Sequence, residues 1–175
     1  MDNAPIITPD PETTASGLSP QELDEVRARR ASVRRAAGQL REILDAAGAP
    51  GEPGDGEPGD AVRAGSALAA TENLDRVWRN HALVTESPDG VLEQIVTDCP
   101  RLAPAVDRAR HEHEVVAATL RAVRARLAGL PPGSPIDPTI DRPALQRLLT
   151  AVDRHRRNGR DLLYQAYQVD LGLGE

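Results

Sequence analysis

Residues 102–127, "LAPAVDRARHEHEVVAATLRAVRARL", decide the fold class. Leu102, Val106, Ala109, His113, Val116, Leu120, Val123 and Leu127 recur at alternating spacings of four and three, which stacks them on one face of an α-helix. The same register sorts the run "HEHE" at 111–114. His113 falls inside the apolar stripe, whereas His111, two residues earlier, lies about 200° around the helix and faces outward. Glu112 and Glu114 flank the seam at about 100° on either side. The four residues therefore cannot form one cluster; only His113 and one flanking glutamate can turn inward.

Three further stretches share this period. In "LSPQELDEV" (18–26), Ser19 is an N-cap, Pro20 fits the first helical position, Glu22 completes a capping box, and Leu18 with Leu23 forms a hydrophobic staple. Leu23, Val26, Arg30, Val33, Ala37, Leu40, Leu44 and Ala47 continue the stripe until Gly48 stops it. A second helix is expected from about Ala61 to Glu86, with Leu74, Val77, His81 and Val84 on one face and Trp78 beside them. "SPDG" (87–90) breaks it, and a short segment carrying Leu92, Ile95, Val96 and Cys99 runs to Pro100. The last long helix begins near Pro143, and its stripe is Leu145, Leu148, Val152, His155, Gly159, Leu162, Ala166 and Val169.

Four long amphipathic helices without a strand pattern predict an all-α, up-down four-helix bundle over 19–170, one end closed by the short extra helix. Residues 1–18 read as a disordered acidic tail and 171–175, which include "LGLG", as a flexible C-terminal tail. The linkers are 48–60, containing the tandem repeat "GEPGDGEPGD", and the proline-rich 129–142. The repeat's glycines do not fall at every third position and its acids match no EF-hand loop, so it reads as solvated acidic chain.

Composition removes several function classes. The net charge is −6, but nine acids lie in 1–20, 51–60 and the tail without basic neighbours there, which leaves the rest weakly basic. All basic residues are arginine, and only three residues are aromatic, too few for a base-stacking platform, so nucleic-acid binding is not expected. The N-terminal residues have neither a basic start nor a long apolar run, so neither a signal peptide nor a membrane span is expected, and the chain reads as cytoplasmic. Cys99 is the only cysteine and reads as a small buried thiol. Nucleotide-binding loops, nucleophile elbows and zinc-finger spacings are absent from the sequence, and "RHRRNGR" (154–160) reads as a solvated helix face.

Each long helix interrupts its seam with one basic or imidazole side chain: Arg30, His81, His113 and His155. Three readings remain open. The four could form a polar layer that fixes helix register. His81, His113 and His155 could hold a metal together with Glu114 or Glu112. Or the rings could turn partly to solvent or a partner chain. Helix rise sets the levels at about 15 Å from one end for Arg30, about 18 Å for His113 and about 20 Å for His155, but only about 8 Å for His81. His81 is thus expected about 10 Å below His113, too far for the three rings to converge.

The architecture, with inward His81, His113 and His155, is distantly similar to hemerythrin-like proteins, in which histidines and carboxylates from four helices hold two irons. Here Arg30 occupies the first helix and no E-x-x-H pair is present, so a full di-iron ligand set is missing. The run "W..H...TE" (Trp78, His81, Thr85, Glu86) and the ending "DLLYQAY.VD" (161–170) also resemble helical-bundle proteins of actinobacteria, a resemblance that implies no activity. The expected function is a non-catalytic interaction or regulatory module without a cofactor, engaging an unidentified protein or itself. The alternative is a metal-binding, hemerythrin-like bundle with iron or zinc.

Overall fold

The computed structural model describes residues 17–46, 62–131 and 133–168. Most of the N-terminal tail, the GEPGD repeat and the C-terminal tail with "LGLG" lie outside the described residues. The described chain is helical: α1 (Pro20–Ala46), α2 (Ala64–Thr85), α3 (Val91–Asp98), a single 3-10 turn (Pro100–Leu102), α4 (Ala103–Ala128) and α5 (Asp141–Tyr167). Among the described residues there is no strand, only an isolated bridge between Arg63 and Pro135.

The ends of these helices follow from local chemistry. The Ser19 N–H donates to Glu22 Oε2 at 2.7 Å and the Glu22 N–H donates to Ser19 Oγ at 3.3 Å, a reciprocal capping box that starts α1. Before α5, the Asp137 carboxylate accepts from the Thr139 N–H and hydroxyl and from the Ile140 N–H, turning the linker into the helix. The turn after α2 is so tight that a Cβ at Gly90 would stand 2.5 Å from the Thr85 carbonyl oxygen, so this position requires glycine.

Packing joins the four long helices in a closed circuit: α1 on α2, α2 on α4, α4 on α5, and α5 back on α1. Two apolar clusters fill the interior. The larger includes Leu40, Leu74, Trp78, Val116, Leu120, Leu145, Leu148 and Val152. The smaller gathers Val26, Leu92, Ile95, Leu102, Val106, Ala109, Leu162 and Leu163. α2 contributes to the first cluster only, while α3 contributes to the second only. The short helix therefore takes the volume beyond the point where α2 stops. Cys99, half-buried at its end, places Sγ 3.6 Å from the Ala166 carbonyl oxygen.

Two sequence expectations need correction here. The buried face of α2 runs through Thr71, Leu74, Asp75, Trp78, His81 and Thr85, so Trp78 is central rather than flanking, and Val77 and Val84 are only half-buried. Polar residues occupy this face because each has an internal partner. Thr71 and Thr85 donate to carbonyls one turn back, and Asp75 accepts from Arg79 and Arg124 at 3.0 and 2.7 Å. The level of His81 is also misplaced, because one ligand atom from each of His81, His113 and His155 lies within 4.8 Å of the others. His81 comes level with His113 and His155.

Candidate metal centre

The three histidines occupy the boundary between the two apolar clusters. On α4, His113 separates Ala109 of one cluster from Val116 of the other; on α5, His155 separates Leu162 from Val152; on α1, Arg30 separates Val26 from Val33. His81, His113 and His155 are all buried, with relative exposures of 8%, 4% and 6%. Their ring nitrogens converge: His81 Nε2 lies 3.2 Å from His155 Nε2, and His113 Nε2 lies 3.2 Å from His155 Nε2. One ligand atom from each ring lies within 4.8 Å of the others. The expected separation of His81 from the other two is therefore absent.

Outside this triangle, two carboxylates orient two of the rings. His113 Nδ1 is hydrogen-bonded to Glu86 at the end of α2, and His155 Nδ1 lies 3.1 Å from Glu112 Oε2 on α4. Glu112 is itself held by the Asn158 amide, which donates to its Oε1 at 2.6 Å, and Arg154 stands 3.9 Å away. A carboxylate can only accept, so Nδ1 must carry the proton on both rings. On a neutral ring that leaves Nε2 as an in-plane lone pair, and both Nε2 atoms face the interior. Trp78 packs against all three imidazoles, with centroid distances of 5.0–5.6 Å, and its Nε1–H donates to the His113 carbonyl oxygen at 3.3 Å.

Burial keeps the His81 and His155 rings neutral. Desolvation pushes His81 down to about 3, helped by the nearby His113 and Arg30, and pushes His155 down to about 2 for the same reasons, with His81 contributing. His155 Nε2 consequently has one lone pair to offer, yet two imidazole nitrogens stand 3.2 Å from it. A single lone pair accepts one hydrogen bond, so at least one of the two contacts has no proton in it. His81 Nδ1 adds a buried ring nitrogen without a hydrogen-bond partner. Unmet polar demand of this kind costs about 1–3 kcal/mol per group.

The three ring nitrogens are close enough to hold one cation between them. Nitrogens bound 2.0–2.1 Å from a tetrahedral zinc lie about 3.3 Å from each other, which two of the three separations approach, while the third lies within 4.8 Å. The carboxylate–imidazole pairs supply the outer hydrogen bonds that metal-binding histidines generally have.

The remaining sequence candidates fall outside the triangle. Glu114 is exposed and pairs with exposed His111 at 3.7 Å, because one residue beyond His113 on α4 points away from α2 and α5. Glu112 faces inward, but it reaches His155 Nδ1 rather than the centre. Arg30 shares the level of the histidines and lines the cavity beside them. The centring of Trp78 and the role of Glu86 were not visible in the stripe analysis, although both residues sit in the "W..H...TE" run. No known protein family matches the chain, and neither a curated protein nor a solved structure matches it.

Proposed function

We propose that the four long helices form an up-down four-helix bundle whose task is to hold one divalent transition-metal ion, zinc or iron, on His81, His113 and His155. The observation that carries this reading is the pair of 3.2 Å contacts on the single lone pair of His155 Nε2, which one cation satisfies and one proton cannot. Three imidazole ligands suit zinc or iron better than the hard ions that prefer oxygen. A two-iron centre of the hemerythrin-like kind would need further inward carboxylates, and Glu114 is exposed. The alternative, a metal-free interaction module with a polar register layer, expects rings a turn or more apart, and the convergence of one ligand atom from each ring favours the metal reading over it.

The test is elemental analysis of protein purified without a histidine tag and then exposed to zinc or ferrous iron. About one ion per chain should remain after desalting, and none with His155→Ala. An unloaded wild-type protein, or a folded His155→Ala variant that keeps its ion, would overturn the proposal.

A further inference from the structure

The cavity beside the histidines has a second set of unmet chemistry. It has a volume of about 40 Å³ and is lined by the three histidines, by Arg29 and Arg30, and otherwise mostly by apolar side chains such as Ile95 and Leu162. At roughly 10–15 Å³ per water-sized occupant, it takes about three non-hydrogen atoms. An occupant fully enclosed by it is therefore only a few atoms in size.

Arg30 is the distinctive wall. Its guanidinium donates to the Arg156 carbonyl oxygen at 2.7 Å, and among the described residues it forms no salt bridge. Its neighbour Arg29, in contrast, pairs with Glu25 at 3.3 Å. Gly159 makes the space, since a Cβ there would stand 3.1 Å from Arg30 Nη1. Burial, with Arg156 and Arg160 nearby, pushes Arg30 down to about 10, and the Asp161 carboxylate offsets this only in part. Two buried nitrogens without partners, His81 Nδ1 and Arg29 Nε, belong to residues of the same cavity. A divalent ion held by the histidines would add its attraction for an anion to that of Arg30 in the same cavity.

We propose that this cavity binds a small planar oxyanion, a monoanion of formate size, between the Arg30 guanidinium and the open coordination position of the ion held by His81, His113 and His155. The inference rests on the metal reading above. Three protein ligands leave a tetrahedral ion one position for an exogenous ligand. The planar fork of Arg30 offers paired N–H groups that match the two oxygens of a carboxylate.

Cobalt(II) in place of the native ion gives a visible spectrum that reports its ligands. Titrating the cobalt-loaded protein with sodium formate at constant ionic strength should shift that spectrum saturably. Arg30→Met should weaken formate binding about tenfold or more while cobalt affinity stays within about threefold. Benzoate, too large for the cavity, should leave the wild-type spectrum unchanged, and this size comparison decides the matter should Arg30→Met fail to fold. Cobalt bound with no formate response, equal responses to formate and benzoate, or an Arg30→Met variant with unchanged formate affinity would overturn the anion site alone. Failure of cobalt to bind at all would overturn the metal reading, and the anion site with it.

Discussion

Metal-free protein should lose stability steeply with acid before its carboxylates titrate. His81 and His155 are held down to about 3 and about 2 in the fold, against 6.5 for an ordinary histidine. Below pH 6.5 the unfolded chain takes up protons that the folded chain refuses, so the two rings contribute fully above that pH and their contribution falls as the pH drops toward the folded values. The full slope is about 1.4 kcal/mol per pH unit for each ring. Integrated from pH 6.5 to pH 5, the two together should cost about 3 kcal/mol, a large part of the 5–15 kcal/mol typical of a domain. Urea unfolding in the presence of a chelator, at half-unit pH steps, measures this directly from the midpoint at constant slope. His155→Gln should remove about half of the dependence, because one of the two titrating rings is gone. A midpoint that is flat between pH 6.5 and 5, or that rises as pH falls, would refute the placement of both rings as buried neutral groups.

Other consequences are simpler to check. Glu112→Gln and Glu86→Gln each remove a carboxylate that orients a ring, and each should weaken zinc binding about 10–100-fold in competition titrations without abolishing it. His111→Ala should change urea stability by less than about 0.5 kcal/mol and leave zinc affinity as it was, since the ring is exposed on the opposite face of α4. Deleting one GEPGD copy should shift stability by less than about 1 kcal/mol, because loop closure depends weakly on length; a larger shift in cooperative unfolding would show that the repeat packs or binds. Zinc added to metal-free protein should alter the fluorescence of Trp78, the only tryptophan, whose ring stands 5.0–5.6 Å from the three imidazoles; an unchanged spectrum in protein that has taken up zinc would mean that the ion sits elsewhere.

The α4 stripe was legible because its apolar residues keep the 4-3 spacing without interruption, which put His113 inside and His111 outside. The start of α1 was legible because Ser19, Pro20 and Glu22 act within one turn. α2 was harder. Its buried face carries Thr71, Asp75 and Thr85, whose polarity is satisfied by backbone carbonyls or by Arg79 and Arg124, so hydrophobicity alone points to the neighbouring face through Val77 and Val84. The height of His81 could not be read from α2 at all. It depends on how α2 is offset along its neighbours α1 and α4, and helix rise counted within one helix does not fix that offset.

The most direct measurement is X-ray absorption at the zinc edge on zinc-loaded protein. Three imidazole nitrogens at about 2.0–2.1 Å and one lighter-atom ligand should surround the ion, and His155→Ala should lose that signature while retaining its helical circular dichroism. A shell of oxygens with one imidazole or none, a sulfur from Cys99 at about 2.3 Å, or a protein that takes up no zinc would contradict a metal centre on His81, His113 and His155.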